Sequence, residues 1–234
     1  SEKCYEDLLN KFIHNDEIDR FINQLKEEAR DKPQNVGAIV MNCNPFTFGH
    51  RYLIETAIKS VEYLYIFVVE EDLSEFSFRE RLAMVKEGVN DLENVNVLPS
   101  GKFVISSISF PEYFTKEQNS TNSFDASGDL EFFSTKVAPA LNITKRFVGQ
   151  VTFDITTNEY NRQMKKILGR HGIDVVEIPR LEDGGNIINA TQVRKWMLEG
   201  DYERIKKFVP DSTYNVVRKH MELKEKYKGE GKLS

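Results

Sequence analysis

Residues 42–50 combine the groups of this chain that are best suited to bind a phosphate. An apolar run from Val36 to Met41 precedes them and predicts a buried strand, and apolar residues at helical spacing follow them, from Leu53 to Val61. A strand, a polar turn and a helix in this order aim backbone N–H groups and a helix N-terminus at a bound anion. We therefore expect a phosphate site formed by Asn42, Cys43, Asn44, Pro45, Phe46, Thr47, Gly49 and His50.

Three residues of this turn have the chemistry expected of a site for phosphate transfer. The Thr47 hydroxyl can donate to a phosphate oxygen, and Gly49 allows a close approach of the backbone. His50 stands where the helix begins and can stabilise negative charge on a leaving pyrophosphate. The alternative for His50 is a capping or core histidine. We expect Thr47 and His50 to be catalytic.

A second segment, residues 187–194, has the same character near the other end of the chain. Thr191 is expected to cap the helix that follows, and Arg194 falls in its first turn. A hydroxyl, a helix N-terminus and a guanidinium together form an anion site. We expect Arg194 to be catalytic, with a surface arginine as the alternative, and the phosphates to contact Asn189, Ala190 and Thr191.

The elements around these segments alternate between strands and helices. The sequence predicts strands at 36–41, 63–69, 95–98, 146–151 and 173–178, with helices after Ser77, at 129–141 and at 156–169. Ser77 and Glu80 form a capping box at the start of the first of these helices. Alternation of this kind predicts a parallel five-stranded sheet flanked by helices, with right-handed crossovers.

The flanking regions are predicted to be helical appendages. Residues 1–35 are highly charged and indicate two short amphipathic helices that end at Pro33. Residues 36–210 form the main domain, and residues 211–234 form a C-terminal helix and a disordered tail. The region 101–128 is less regular, with an extended segment at 103–108, an aromatic turn at 110–114 and a polar loop at 118–128.

Composition excludes several classes of protein. The chain has 234 residues, a formal net charge of −5 and 40% hydrophobic residues, which is enough for a packed core. No apolar run approaches the length of a membrane span and no signal-peptide pattern is present, so we expect a cytoplasmic protein without membrane contact. The mild acidity argues against a nucleic-acid surface. Cys4 and Cys43 make no disulfide framework, and no Cys/His spacing predicts metal ligands.

The two phosphate segments, in this order and each at a helix start, resemble the signatures of the HIGH-motif nucleotidyltransferase superfamily. They stand here as Thr47-Phe48-Gly49-His50 and Ile188-Asn189-Ala190-Thr191-Gln192-Val193-Arg194. Residues 41–55, 68–72, 77–81, 98–114, 137–149 and 156–161 further resemble the C-terminal catalytic domain of citrate lyase ligase, and the likeness spans roughly residues 36–210. This resemblance implies a Rossmann-like fold with the nucleotide over the C-terminal edge of the first strand.

The resemblance also implies a reaction. ATP and acetate give acetyl-adenylate and pyrophosphate, and the acetyl group passes to the prosthetic-group thiol of the citrate lyase acyl carrier subunit. Such a protein is an acid–thiol ligase that forms a carbon–sulfur bond. Mg²⁺ is expected to bridge the ATP phosphates, held mainly by them and by water. Arg81 stands at a position that resembles an arginine of the family, and Arg162 lies near the expected nucleotide side, so both are expected to bind ATP. The alternative for Arg81 is a solvated helix face.

The sequence departs from the family pattern at three places. Asn189 replaces the usual serine, and residues 150–154 replace a Glu-Pro-Phe-Cys-like run. Only residues 1–35 precede the first strand, where the family has an acetyltransferase-like domain. Two alternatives therefore stay open. One is another nucleotidyltransferase of this fold, making a cofactor precursor or a CDP-alcohol, and the other is a non-catalytic nucleotide-binding domain.

Overall fold

Five parallel strands form the central sheet, as the sequence predicts. The computed structural model describes residues 15–29, 33–71, 73–105, 125–150 and 155–230. The sheet has the order β3-β2-β1-β4-β5, and every neighbouring pair is parallel. The strands are β1 (Val36–Met41), β2 (Tyr63–Val68), β3 (Val95–Pro99), β4 (Ile143–Gly149) and β5 (Asp174–Ile178). The Rossmann-like α/β fold is thereby confirmed.

Helices cover both faces of this sheet. They are α1 (Asn15–Glu27), α2 (Phe48–Ala57), α3 (Phe78–Gly88), α4 (Ser127–Phe132), α5 (Ala138–Leu141), α6 (Ile155–Arg170), α7 (Ala190–Glu199), α8 (Tyr202–Phe208) and α9 (Asp211–Glu230). A π-helical turn at Phe133–Val137 joins α4 to α5. None of the described helices is long and apolar enough to cross a membrane.

The strand order reverses at β1. The chain runs outward from β1 through β2 to β3, and then returns to the other side of β1 to add β4 and β5. At such a switch point the loops after the two central strands diverge, which leaves a crevice at the carboxyl edge of the sheet. Both loops that leave β1 and β4 therefore open onto one space.

The strands are buried on both faces because alternate residues serve two separate cores. Ala38 and Tyr65 point to a core shared with α1, α4 and α6, and they are 0% and 1% exposed. Ile39 and Ile66 point to a core shared with α2, α3 and α7 to α9, and they are 1% and 0% exposed. Burial on both faces explains the nearly continuous apolar runs of these strands.

Helix α1 packs on the first of these cores. Ile18 and Leu25 are buried there, and the Tyr65 hydroxyl donates to the carbonyl of Glu28 at 3.1 Å. The other predicted N-terminal helix lies in residues 1–14, outside the described residues. The aromatic turn at 110–114, most of the polar loop at 118–128 and residues 151–154 also lie outside them.

Several predicted boundaries are wrong. Strand β4 begins three residues earlier than predicted, because Ile143 already pairs with Val36. Ser127 and Gly128 belong to α4, not to the preceding loop, and the extended segment expected from Phe103 begins with a 3₁₀ turn. Helix α9 continues to Glu230, into the predicted tail.

A small antiparallel hairpin was not predicted. It joins β6 (Glu182–Asp183) to β7 (Asn186–Ile187) through Gly184 and Gly185, which have φ of 56° and 81°. Its second strand ends at Ile187, where the second predicted phosphate segment begins.

Candidate active site

A cavity of about 610 Å³ lies at the carboxyl edge of β1 and β4. The first turns of α2 and α7 both contribute to its wall, so the two segments that the sequence predicts to bind phosphate face one space. The described lining residues include no Asp or Glu, but they include His50 and three arginines, Arg146, Arg180 and Arg194. Two helix N-termini and three guanidinium groups make this an environment for a polyanion.

His50 is fixed by the turn that it follows. Thr47 is the N-cap of α2, and its backbone N–H donates to Nδ1 of His50 at 3.0 Å. The Thr47 hydroxyl accepts the backbone N–H of His50 at 3.4 Å, so the two residues form a reciprocal capping box. Because Nδ1 is an acceptor, the neutral ring carries its proton on Nε2. That N–H is available as a donor, since the His50 side chain lines the cavity.

The environment of His50 keeps the ring neutral. Burial and the positive charge of Arg180 lower the pKa of His50 from 6.5 to about 4. At neutral pH the side chain is therefore a hydrogen-bond donor through Nε2, and not a cation. A neutral donor can stabilise developing charge without first binding a proton.

The Thr47 hydroxyl is used within the turn. Thr47 is fully buried, and its Oγ1 lies 2.9 Å from Nδ1 of His50. In this structure Thr47 thus orients His50, whereas the sequence interpretation had its hydroxyl hold a phosphate.

The remaining residues of the turn either line the cavity or lie buried and support the residues that do. Asn42, Cys43 and Asn44 line the cavity, whereas Pro45 and Phe46 lie buried beneath it and are not among its lining residues. The Asn44 side chain accepts the backbone N–H of Phe76 at 3.2 Å. Burial raises the pKa of the Cys43 thiol well above its usual range, so the thiol stays protonated and is a poor nucleophile.

Arg81 supports the turn from inside the protein. It is fully buried, is absent from the described cavity lining, and donates to both the carbonyl and the side-chain oxygen of Asn42, at 2.9 and 2.8 Å. Its other donors reach the carbonyls of Phe76, Val69 and Glu71. The expected contact of Arg81 with a nucleotide is therefore corrected to a positioning role.

The cap of α7 is Asn189, and the expectation that Thr191 caps it is wrong. The Asn189 side chain accepts the backbone N–H of Gln192 at 2.8 Å. Asparagine and serine are about equally good N-caps, so the replacement of serine in this motif preserves the geometry. Thr191 is left exposed on the first turn, and it lines the cavity together with Ala190.

Arg194 connects the two helix starts. One terminal nitrogen, Nη1, donates to the carbonyl of Asn44, and the other, Nη2, lies 3.2 Å from the Thr191 hydroxyl. Burial lowers the pKa of Arg194, yet a guanidinium remains protonated in proteins. A positive charge is thereby held where the start of α2 meets the start of α7.

Gly49 is needed for the same contact between the starts of α2 and α7. A Cβ atom at this position would lie 2.3 Å from the carbonyl oxygen of Ile188, which precedes the cap of α7. The backbone that approaches Gly49 this closely is thus that of the second predicted phosphate segment.

Arg162 lies away from the cavity. Its side chain is 66% exposed and pairs with Glu159 at 2.6 Å, and it is absent from the described lining. The preceding residues, Tyr160 and Asn161, do line the cavity and are each 5% exposed. Successive residues of a helix point about 100° apart, so the sequence identified the correct helix and the wrong face of it.

Sequence reasoning did not identify Arg146 and Arg180 as site residues. Arg180 follows the end of β5, and its Nε donates to the carbonyl of Gln150 at 2.7 Å. Its position directly after a predicted parallel strand could have identified it as a site residue, because ligands bind at the edge of the sheet where such strands end. Arg146 is the first residue of the predicted strand at 146–151, but it lies inside the observed strand β4, so the prediction gave no sign that it is buried in the sheet.

We expect Gly49→Ala to destabilise the protein by at least about 1–3 kcal/mol, because the new methyl group would collide with a backbone carbonyl that cannot rotate away. Gly169→Ala is the matched control, since a Cβ there meets no atom within 4 Å. The control should leave stability unchanged or raise it by up to about 1 kcal/mol. Urea unfolding measures both, and equal stability of the two variants would contradict the contact.

We expect His50 to make stability depend on pH between about 6.5 and 4. Because its pKa is lowered to about 4 in the folded protein, the unfolded chain binds a proton there that the native state does not. The His50 contribution is complete above pH 6.5 and falls by up to about 1.4 kcal/mol per pH unit on acidification.

The control for this effect is His50→Asn. Its side-chain oxygen can replace Nδ1 as the acceptor for Thr47, but it does not titrate. The pH dependence of the free energy of unfolding should therefore be shallower in the variant. Parallel curves for both proteins would show that His50 has an ordinary pKa.

Comparison with known proteins identifies the family. The family model for the citrate lyase ligase C-terminal domain matches residues 36–217. The chain is 42% identical over 200 residues to the citrate (pro-3S)-lyase ligase of Haemophilus influenzae, covering 83% of this chain and 60% of that protein. It is 36% identical over 210 residues to the ligase of the same name from Escherichia coli K12, covering 88% and 59%.

Solved structures agree on the fold. The bifunctional NMN adenylyltransferase/ADP-ribose pyrophosphatase of Francisella tularensis matches with a TM-score of 0.51 at 18% identity, covering 81% of this chain and 50% of that one. TmcAL of Thermotoga maritima, solved with α-thio ATP, matches with a TM-score of 0.50 at 15% identity, covering 80% and 56%. These likenesses support the nucleotidyltransferase fold.

The chain spans about 60% of the length of the curated relatives that it matches. Within that span, the family match and the identity to three ligases of the same name agree. The chain therefore belongs to the citrate lyase ligase C-terminal domain family.

Proposed function

We propose that this protein is an ATP-dependent acid–thiol ligase. It adenylates acetate and passes the acetyl group to the prosthetic-group thiol of a citrate lyase acyl carrier subunit. The observation that carries the proposal is the convergence of two helix N-termini, His50 and Arg194 on one cavity without acidic lining residues in the described chain. Membership of the family supports the choice of acid and acceptor.

The first half-reaction is the attack of a carboxylate oxygen on the α-phosphorus of ATP. The bond from that phosphorus to the bridging oxygen breaks, and pyrophosphate leaves with the bonding electrons. Negative charge grows on the α-phosphoryl oxygens and on the leaving group, so catalysis consists mainly of positioning and electrostatic stabilisation. A cavity whose wall is built from fixed donors meets this requirement.

Each part of the site has a role in that step. The N–H of Nε2 on His50 donates to the α-phosphoryl and leaving-group oxygens that gain negative charge. The backbone N–H groups at the N-terminus of α2 stabilise the same charge. The N-terminus of α7, with Thr191 and Arg194, binds the β- and γ-phosphates. Thr47 and Arg81 hold the turn in place, and Asn189 fixes the start of α7.

Mg²⁺ is expected to enter with ATP. The described part of the chain contains no group of three or more His, Cys, Asp or Glu side chains that could hold a metal ion. The described lining residues offer neutral side-chain oxygens, among them the amide of Asn161, while those of Asn42 and Asn44 already accept from Arg81 and Phe76. Mg²⁺ bound to ATP keeps most of its ligands from phosphate and water, which fits such a wall, and it would supply charge neutralisation there.

The second half-reaction transfers the acyl group. A thiolate of the acyl carrier attacks the carbonyl carbon of the adenylate, the carbon–oxygen bond to phosphate breaks, and AMP leaves. The product is a thioester. Cys43 takes no part, because its buried thiol stays protonated and the attacking sulfur belongs to the partner.

Exchange of labelled pyrophosphate into ATP tests the first half-reaction. We expect acetate and Mg²⁺ to stimulate the exchange, and His50→Asn to reduce its rate at least about tenfold, since one electrostatic contact to the transition state is lost. The asparagine retains an acceptor for Thr47, so the variant should bind ATP and unfold at nearly the wild-type temperature.

The controls separate the competing functions. Unchanged exchange in His50→Asn would contradict the role of His50. Stimulation only by CTP with a phosphorylated alcohol would replace the ligase with another nucleotidyltransferase. A rise in melting temperature with ATP and Mg²⁺, but no exchange with any acid, would identify a nucleotide-binding domain without catalysis.

A further inference from the structure

Arg146 is a buried arginine whose hydrogen-bonding capacity is only partly used. Its side chain is 1% exposed, and Nη2 donates to the Tyr160 hydroxyl at 3.1 Å. That hydroxyl donates in turn to Oδ2 of Asp129 at 2.9 Å, while Oδ1 of Asp129 accepts the backbone N–H of Ile105 at 2.5 Å. The chain of contacts holds the guanidinium in one place.

Two nitrogens of this guanidinium are left without partners. Within the described part of the protein, Nε and Nη1 of Arg146 are buried and have no hydrogen-bond partner. Leaving buried N–H groups of a cation unsatisfied costs several times the net stabilisation of an ordinary hydrogen bond. The Phe133 ring lies 4.4 Å from the guanidinium carbon and covers one face, but a ring contact cannot satisfy the edge donors.

Arg146 is one of the residues that line the cavity of His50 and Arg194. Arg146 lies opposite Ala38 in the sheet, and its neighbours two residues further along each strand, Val40 and Val148, line the same cavity. Ile105 and Met164 add further apolar surface nearby. The result is a guanidinium with free edge donors beside a small apolar wall.

We propose that Arg146 binds the carboxylate of the acid substrate, and that the apolar wall accepts its short alkyl group. A planar guanidinium offers paired N–H donors to a carboxylate, and the bound anion would satisfy the groups that are otherwise unpaired. The inference rests on the proposed adenylation of a small acid and assigns the acid subsite within it.

A phosphate of ATP is the other anion that could reach this arginine. The helix starts, His50 and Arg194 already supply donors for the triphosphate at the carboxyl edge of the sheet. The apolar residues beside Arg146 suit an alkyl group and offer nothing to a phosphate or a ribose. These two observations favour the carboxylate.

The test is the acetate and ATP dependence of pyrophosphate exchange in the whole protein. Arg146→Lys keeps the charge but removes the fork of donors, and Arg162→Lys changes an exposed arginine of α6 as the matched control. We expect Arg146→Lys to raise the KM for acetate at least about tenfold, as the loss of a charge-assisted hydrogen bond predicts, with the KM for ATP changed less than about twofold. Arg162→Lys should leave both values unchanged.

A measurement on the wild-type protein makes the test independent of the folding of the variant. Methanesulfonate, an anion of similar size, should compete with acetate, whereas neutral acetamide should not. An unchanged KM for acetate in folded Arg146→Lys, or a larger rise in the KM for ATP, would overturn the assignment while leaving the ligase proposal intact. Equal competition by acetamide would do the same. Absence of acid-dependent exchange in the wild-type protein would instead reject the proposed function itself.

Discussion

The site depends on direct contact between the starts of two helices that lie far apart in sequence. Arg194 donates to the carbonyl of Asn44, and the carbonyl of Ile188 occupies the space that a side chain at residue 49 would need. Both contacts are made between protein atoms alone, so the protein itself joins the two helix starts. Catalysis by positioning needs such preorganisation, because donors that are already fixed do not have to reorganise in the transition state.

Two arginines of the domain, Arg81 and Arg146, are buried. Arg81 holds the first turn by donating to backbone carbonyls, and Arg146 is held by Tyr160 in the core on the other face of the sheet. The two arginines differ in one respect: the donors of Arg81 reach protein carbonyls, whereas two nitrogens of Arg146 have no partner in the described chain. A buried cation with its donors used is structural, and one with donors left over indicates a ligand.

The fold and the positions of the two helix starts could be predicted from the sequence, because both depend on local patterns. Residues close together in the sequence determine the strand and helix periodicity, the Ser77 capping box and the Thr47–His50 turn. Side-chain direction could not be predicted in the same way. The burial of Thr47 and the outward face of Arg162 depend on how distant elements pack. The cap of α7 is a local choice between Asn189 and Thr191, and both residue types are suitable N-caps. Arg146 was missed because its significance lies in absent partners, which only a structure can display.

The central claim is that the N-termini of α2 and α7 together bind one triphosphate. A crystal structure of the protein with Mg²⁺ and an ATP analogue that resists cleavage at the α-phosphorus tests it most directly. We predict the phosphates between the first turns of the two helices, with Nε2 of His50 donating to an oxygen at the α-phosphorus and Arg194 near the β- and γ-phosphates. Phosphates bound elsewhere, with both helix starts unoccupied, would contradict the account.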